Sequence, residues 1–343
     1  MRGTRFILLA VVCVWCLTGA GMPGVSTAAE ELKPTTLTWV AGGVGGGWYV
    51  QAGGIASLIN QKEPKITVKV VPGGGVVNPV RVATGADNLG WGITFVDKMA
   101  MKGTAPIFKQ AYPDLRSLGG IFGIYQIHLV AAADAGMSTV ADLANAVKAG
   151  KALKVAAPMK GTSDLPMVET ILGYYGLSLE DIKKAGGQVF NAVYADMVSL
   201  FKDRHVDFVF THLAVPAAAV TEMTVSRKSS ILSIPDDCID YCQKEIGTLS
   251  RETSLAMIPA GSYKGQEKTV PTVVSAGELL INKDVPNIAA YRIIKIICEN
   301  VAELHKINPA NKYFVPARGW ADVVPPLHPG AERYYREAGF MKK

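Results

Sequence analysis

Two short segments of small residues stand where an extended run gives way to a helical pattern. The first is the glycine-rich stretch 42–47, and the second is Gly161-Thr162-Ser163. The start of a helix presents unpaired backbone N–H groups and the positive end of the helix dipole. Two such starts facing each other form a cradle for an anion. The sequence therefore predicts a carboxylate site that involves Gly47 and the three residues of the second segment.

The glycine-rich stretch does not match a nucleotide-binding loop. No Lys-Ser or Lys-Thr pair follows it, as a P-loop requires. The G-x-G-x-x-G spacing also fails, because the sixth position counted from Gly43 is Trp48 and from Gly45 is Val50. The stretch is therefore either a tight strand-to-helix turn or a loop whose backbone contacts a ligand, and we expect no cofactor.

Ser163 has one feature of a hydrolytic nucleophile. Gly161-x-Ser163 begins the G-x-S-x-G pattern, but Leu165 occupies its last glycine position. Thr162 and Ser163 fit better as helix caps that also contact the ligand. We expect no catalytic residue, and an exported hydrolase with Ser163 as nucleophile is retained as an alternative.

His212 is the histidine whose position suggests binding. No two of the five histidines stand three or four residues apart, and the H-E-x-x-H pattern is absent, so the sequence predicts no metal site. His212 follows the apolar run 206–210. The carboxyl end of a strand is where α/β sheets place ligands.

Side chains from the first half of the chain complete the predicted pocket. We expect Trp48 and Tyr49 to pack against the carbon skeleton of the ligand, and Asn78, Thr94 and Asp97 to supply polar contacts. Asp97 would accept a hydrogen bond from a donor such as an ammonium group, which favours an amino acid. Its alternative role is a helix cap.

The amino terminus has the layout of a secretory signal peptide. Met1–Arg5 is basic, residues 6–17 are apolar, and small residues lead to Ala29. The apolar run is shorter than the roughly 20 residues that span a bilayer, and a retained membrane anchor is the alternative. Cleavage after Ala29 leaves 314 residues (343 minus 29) and lowers the net charge from +6 to +4 by removing two arginines. We therefore expect a periplasmic protein.

The remaining composition restricts the partners. Lysine and arginine do not form blocks with interleaved aromatic residues, so nucleic acid is excluded as a partner. Cys238 and Cys242 stand four apart on a predicted helix, where a strained disulfide and a pair of free thiols both remain open. The run 288–304 is predicted to form one amphipathic helix, and Cys298 within it is predicted to be buried.

Extended and helical runs alternate along the chain in two successive sets. The extended runs of the first set are 36–40, 66–71 and 89–95, and those of the second are 153–157, 189–193 and 206–210. This alternation favours sheets with parallel strands and helices on their faces. The runs 126–132 and 272–281 are long enough to pass between the two sets, so the sequence predicts two α/β lobes.

A series of motifs along the chain occurs in the order found in a known family. The motifs are 42–49, 53–56, 72–78, 138–172, 206–216, 263–265 and 327–337. The series resembles the TAXI family, the solute receptors of one class of TRAP transporter. Two departures lie in the loops: the family often has hydroxyl residues where this chain has Gly47 and Gly75, and Trp48 adds an indole.

The resemblance implies a two-lobed fold of the periplasmic-binding-protein type (type II-like), each lobe a mixed sheet flanked by helices, with the ligand cleft between them. Lobe 1 is expected to comprise 30–125 plus 258–343, and lobe 2 to comprise 126–257. It further implies a monomeric receptor that binds a small anionic solute, a carboxylate or an amino-acid-like molecule, and delivers it to the membrane permease of a TRAP transporter. A sensor of the same fold that reports to a membrane kinase is the alternative.

Overall fold

The computed structural model describes residues 31–341 apart from Gly45, so the signal peptide predicted for residues 1–29 lies outside the described residues. The strands are β1 (Thr35–Val40), β2 (Ile66–Val71), β3 (Leu89–Ile93), β4 (Arg116–Ala132), β5 (Lys154–Pro158), β6 (Gln188–Ala192), β7 (Phe208–Leu213), β8 (Ser229–Ile231), β9 (Met257–Ile258), β10 (Val270–Pro271) and β11 (Val274–Ile281). The helices are α1 (Gly47–Lys62), α2 (Val77–Ala83), α3 (Thr94–Lys102), α4 (Val140–Lys148), α5 (Asp164–Tyr174), α6 (Leu179–Lys184), α7 (Tyr194–Lys202), α8 (Ala218–Ser226), α9 (Asp236–Ile246), α10 (Asn287–Glu299), α11 (Val301–Ile307) and α12 (Pro329–Glu337). Two 3-10 turns cover Ala133–Ala135 and Pro309–Tyr313.

One mixed sheet forms the centre of the fold. Its strand order is β2-β1-β3-β11-β4-β7-β5-β6, and β8 pairs with β4. The β1 strand lies parallel to β2 and β3, and β5 lies parallel to β6 and β7. Strands β11 and β4 are antiparallel to their neighbours. The predicted mixed α/β class is confirmed.

The long strand β4 belongs to both ends of the sheet. Its first part pairs with β11 as far as Gln126, and from Gln126 onward it pairs with β7. The partner of β4 thus changes at the residue where the sequence predicts the chain to pass from lobe 1 to lobe 2. The lobe boundaries themselves stay a prediction.

The apolar core is divided into clusters on the two sides of this junction. One cluster packs α1, α10 and α12 against β1 and β3 around Trp39 and Trp91. A second packs α4, α5 and α9 against β5 and β7, and it also includes Phe95 and Met99 of α3. Helix α3 follows a strand of the first set, yet it shares a core with helices of the second set. Because the core crosses the predicted boundary, α3 connects the two parts.

Three predicted elements differ from the observed ones. The run 89–95 ends as a strand at Ile93, because Thr94 begins α3. The run 206–210 shifts to Phe208–Leu213, so that His212 lies within β7. The single helix predicted for 288–304 breaks at Asn300, whose φ is −119° and whose amide side chain donates to the carbonyl of Ile296 at 2.7 Å. Asparagine favours such helix ends because its side chain competes for backbone groups.

Of the two alternatives for Cys238 and Cys242, the structure shows a pair of free thiols. Cys238 and Cys242 are fully buried in α9 and make no disulfide, and Cys298 is buried in α10 as predicted. Within residues 31–341, none of the helices is both long enough and apolar enough to cross a membrane.

Candidate functional site

The glycine-rich stretch turns the chain from β1 into α1, which begins at Gly47. Gly42 has no room for a side chain, because a Cβ there would lie 3.0 Å from the Cβ of Trp48. Trp48 is half-buried, and its indole Nε1 donates a hydrogen bond of 2.8 Å to the hydroxyl of Tyr125. Its backbone carbonyl accepts a hydrogen bond of 3.0 Å from Nε1 of Trp91. These bonds fix Trp48 against strands β3 and β4.

Aromatic rings continue from Trp48 toward β7. The ring centroids of Trp48 and Tyr125 are 5.9 Å apart, and those of Tyr125 and His212 are 6.0 Å apart, both with an edge-on geometry. Phe95 of α3 lies 6.3 Å from the His212 ring. Such pairs hold one another in fixed orientations. They connect Trp48 of α1 with His212 of β7 through rings held in fixed orientations.

His212 joins three strands. Its Nε2 lies 3.2 Å from the carbonyl oxygen of Tyr125 in β4 and 2.8 Å from Oγ of Ser275 in β11. Burial lowers the pKa of His212 to about 4, so the ring is neutral at pH 7. A carbonyl only accepts hydrogen bonds, so we assign the ring proton to Nε2, and Nδ1 then carries the lone pair.

Asp164 belongs to the same hydrogen-bonded region, although it was not predicted from the sequence. It is the first residue of α5 and is 5% exposed. Its carboxylate accepts hydrogen bonds from the Tyr194 hydroxyl and, at 3.3 Å, from Oγ of Ser163. Burial raises the pKa of Asp164 to about 6, and the carboxylate is still ionised at pH 7.5.

No cation of the described chain compensates Asp164. Its Oδ1 lies 3.8 Å from Nδ1 of His212, which is too long for a hydrogen bond, and the neutral ring makes this contact no ion pair. Within residues 31–341, neither lysine nor arginine forms an ion pair with Asp164. The carboxylate and the His212 lone pair therefore present two hydrogen-bond acceptors in one buried place.

The hydroxyl groups of Thr162 and Ser163 were predicted to cap α5, and they do not. Ser163 occupies the N-cap position of α5, but its backbone is helical and its hydroxyl makes no capping bond. The hydroxyl donates to Asp164 instead, and Thr162 Oγ1 donates to the carbonyl of Met159 at 2.8 Å. The capping prediction is wrong, because a carboxylate and a turn carbonyl compete for these hydroxyls.

The loop at Gly161 reaches the loop that follows β2. The carbonyl oxygen of Gly161 accepts a hydrogen bond of 3.2 Å from the backbone N–H of Val76. Gly161 has a φ of +90°, a conformation that glycine adopts without steric cost. Residues of the first and second strand–helix sets are thus in direct contact beside Ser163.

Asn78 holds the loop after β2 in place. It is fully buried, and its amide nitrogen donates to the carbonyls of Ala41 and Trp91 at 2.7 and 2.8 Å. Its amide oxygen accepts from the N–H of Gly74 at 2.9 Å. The side chain predicted to contact a ligand therefore ties the end of β1 and the middle of β3 to the loop after β2.

Thr94 and Asp97 lie in the first turn of α3 and are buried. Asp97 is not the cap of this helix, since Ile93 holds that position, and its carboxyl group faces the fully buried Glu278 of β11. Burial and the proximity of the second carboxyl raise the pKa of Asp97, and burial raises the pKa of Glu278 to about 7. Among the described residues, neither oxygen of Asp97 has a hydrogen-bond donor unless a proton is shared between the carboxyl groups of Asp97 and Glu278. The cap interpretation of Asp97 is wrong.

The structure thus brings Trp48, Ser163 and His212 into one connected network. The added members are Tyr125, Asp164, Tyr194 and Ser275. Gly47 begins α1 at the edge of this network, and Tyr49 is half-buried against the first core cluster. Asp164 could have been found from its place directly after Ser163, and Tyr194 from its place at the start of a helix after a strand.

Comparison with solved structures places the fold. The protein is similar to MatC from Rhodopseudomonas palustris, solved with bound malate, at 12% sequence identity over 89% of this chain and 96% of that chain, with a TM-score of 0.54. It is also similar to a TctC solute-binding protein from Polaromonas, solved without ligand, at 15% identity over 81% of this chain and 88% of that chain, with a TM-score of 0.50. At these identities the likeness shows a shared fold, which is that of periplasmic solute-binding proteins.

The sequence itself assigns the family. The family model described as "NMT1-like family" matches residues 40–339, which include every element from α1 to α12. The match contains both helix starts, the loop after β2 and the network around His212. The chain belongs to the NMT1-like family.

Proposed function

We propose that the protein is an exported receptor that binds a small organic acid, either a carboxylate or an amino-acid-like molecule, and delivers it to the membrane permease of a TRAP transporter. The observation that carries the proposal is the pair of buried acceptors formed by Asp164 and His212 beside the start of α5. An ammonium group on the acid supplies donors both to the His212 lone pair and to the Asp164 carboxylate, whose other donors are all neutral, and a hydroxyl group supplies a donor to one of the two.

The acceptor pair constrains the ligand because buried polar groups need partners. An ionised carboxylate without a cation is costly to bury, and the donors to Asp164 are all neutral: the hydroxyl groups of Tyr194 and Ser163 and the backbone N–H groups of His212 and Asp164. A ligand ammonium group beside Asp164 Oδ1 and His212 Nδ1 donates to both acceptors, and a ligand hydroxyl group donates to one of them. Removing the acceptor that is used then removes a hydrogen bond to the ligand and weakens the binding of the donor-bearing acid.

The acid group of the ligand is proposed to bind at the N-terminus of α1. The first N–H groups of a helix have no intrahelical partner and favour an anion, and the first of them here belong to Gly47 and Trp48. The ring of Trp48 packs toward Tyr125, which lies next to His212. The proposed site therefore comprises the start of α1 for the acid group, the Trp48 and Tyr125 rings for the carbon skeleton, and the Asp164–His212 pair for the donor.

The comparison with MatC supports organic acids as the first class to test. MatC was solved with malate, which carries carboxylates and one hydroxyl group. The malate belongs to MatC, and the contacts that hold a ligand in this chain are proposed from its own residues.

The test is isothermal titration of protein that has been unfolded, dialysed and refolded to remove bound solute. Two matched pairs of acids, L-malate with succinate and L-glutamate with glutarate, differ in one donor. We expect the donor-bearing member of one pair to bind at least about tenfold more tightly at pH 7.5, the amount that one charged hydrogen bond supports.

Asp164→Asn tests whether the preference depends on the Asp164 carboxylate, and Asp203→Asn, at an exposed position, is the matched control. Asp164→Asn should remove the preference for the donor-bearing acid, and the control should retain it. Equal binding of both members by the unaltered protein, or binding of sugars with no binding of any acid, refutes the proposal.

A further inference from the structure

We propose that Gly75 is a positioning residue of the site, and that its missing side chain lets Ser163 dock against the loop after β2. The inference rests on the proposed function, since Ser163 in turn positions the Asp164 carboxylate that the ligand is proposed to meet. The contact in question joins the loop 73–76 to the segment 161–163.

The contact leaves no space for a side chain at position 75. A Cβ on Gly75 would lie 2.5 Å from Cβ, 2.6 Å from Oγ and 2.9 Å from the backbone N of Ser163. A Cβ on Gly74 would lie 2.9 Å from the carbonyl oxygen of Gly161. A Cβ atom does not come within 3.0 Å of a heavy atom to which it is not bonded, so alanine at position 75 separates the two loops.

The backbone of Gly75 does not itself require glycine. Its φ lies outside the left-handed region, unlike the +90° of Gly161. Alanine at position 75 is therefore compatible with the local conformation, and the clash with Ser163 is the one obstacle. This separates the role of Gly75 from that of an ordinary turn glycine.

The loop after β2 cannot move aside without losing other bonds. Asn78 accepts from the N–H of Gly74, and the carbonyl of Gly74 accepts from the N–H groups of Val77 and Asn78 at 2.9 Å each. Asn78 is in turn held by the carbonyls of Ala41 and Trp91. The rigid side of the contact is therefore this loop, and the segment that yields is 161–163.

The contact sets the position of the acceptor pair. Ser163 packs on Gly75 and donates through Oγ to Asp164, whose other oxygen accepts from Tyr194. Displacing Ser163 therefore displaces the start of α5 and the carboxylate that the ligand is proposed to meet. Gly75 acts through Ser163 and does not itself need to touch the solute.

Amide hydrogen exchange of the ligand-free protein, measured by NMR, tests the contact directly. The N–H of Val76 donates across to Gly161, whereas those of Val77 and Asn78 donate within their own loop. We expect Gly75→Ala to reduce the protection of the Val76 amide about tenfold, the effect of losing one hydrogen bond, while Val77 and Asn78 keep theirs.

The double variant Gly75→Ala, Ser163→Gly removes the Cβ and Oγ contacts and leaves only the 2.9 Å approach to the backbone N of residue 163, so it should restore most of the protection of Val76. Gly173→Ala, an exposed helix position with nothing within 4 Å of a new Cβ, is the matched control and should leave Val76 unchanged. The proposal is overturned if Val76 stays protected in Gly75→Ala, or if all three amides lose protection and Ser163→Gly does not restore them. A refolded protein that binds none of the four acids contradicts the proposed function and leaves this exchange result standing.

Discussion

The buried carboxyl pair of Asp97 and Glu278 predicts an unusual dependence of stability on pH. Both side chains are fully buried, and no lysine or arginine pairs with either of them among the described residues. The perturbation is Glu278→Gln, which keeps the shape of the side chain and removes its titration. The control is Glu267→Gln at an exposed position.

The direction of the effect follows from proton binding. Burial raises the pKa of Glu278 from 4.5 to about 7, so the folded state holds its proton more tightly than the unfolded state does. The stability from this proton is fully present below pH 4.5 and is lost as the pH rises through about 7. The raised pKa of Asp97 acts in the same direction.

The magnitude follows from the same values. A rise from 4.5 to about 7 corresponds to about 3 kcal/mol of unfolding free energy. We therefore expect Glu278→Gln, relative to the unaltered protein, to become more stable by about 3 kcal/mol between pH 4.5 and pH 8. Asp164, whose pKa is also raised, is present in both proteins and cancels in the difference.

The assay is urea unfolding followed by tryptophan fluorescence at a series of pH values, with the slope against urea checked for constancy. The control Glu267→Gln should follow the unaltered protein throughout. Parallel stability curves for Glu278→Gln and the unaltered protein would show that the pair does not retain a proton, and would refute the reasoning.

Two further outcomes follow from buried groups. Asn78→Ala should lower the unfolding free energy by about 3 kcal/mol, because it leaves two buried carbonyls and one N–H without partners; a loss below about 1 kcal/mol in urea unfolding would contradict the anchoring role. Cys238, Cys242 and Cys298 should all resist iodoacetamide in the folded protein and all react after unfolding without reductant, since the thiols are free and buried; a mass that shows fewer than three labels on the unfolded chain would indicate a disulfide.

Much of the fold could be read from local patterns. Strand β2 falls at Ile66–Val71 as predicted, because β-branched residues fill it and the Pro72–Gly75 segment ends it. Helix α5 begins at Asp164, directly after the predicted helix start at Gly161-Thr162-Ser163. The breakdown of the predicted helix 288–304 was less accessible, because Asn300 ends α10 through a bond to Ile296 that periodicity does not reveal.

The candidate site was only partly accessible in the same way. Trp48, Ser163 and His212 were identified from positions next to strands and helix starts, which are local features. Asp97 looked equivalent to them, and the structure pairs it with Glu278, a residue far away in sequence.

The sequence by itself determined the alternation of strands and helices, the two small-residue helix starts and the position of His212 near a strand end, because each depends on residues close together in the chain. Only the tertiary structure decided that Ser163 lies against Gly75, that Asp164 and His212 form one acceptor pair, and that Asn78 is a support. Those relations depend on the pairing of β4 with β11 and β7, which joins distant segments. The loops that first suggested an anion cradle therefore have a second property, a glycine contact that positions a buried carboxylate.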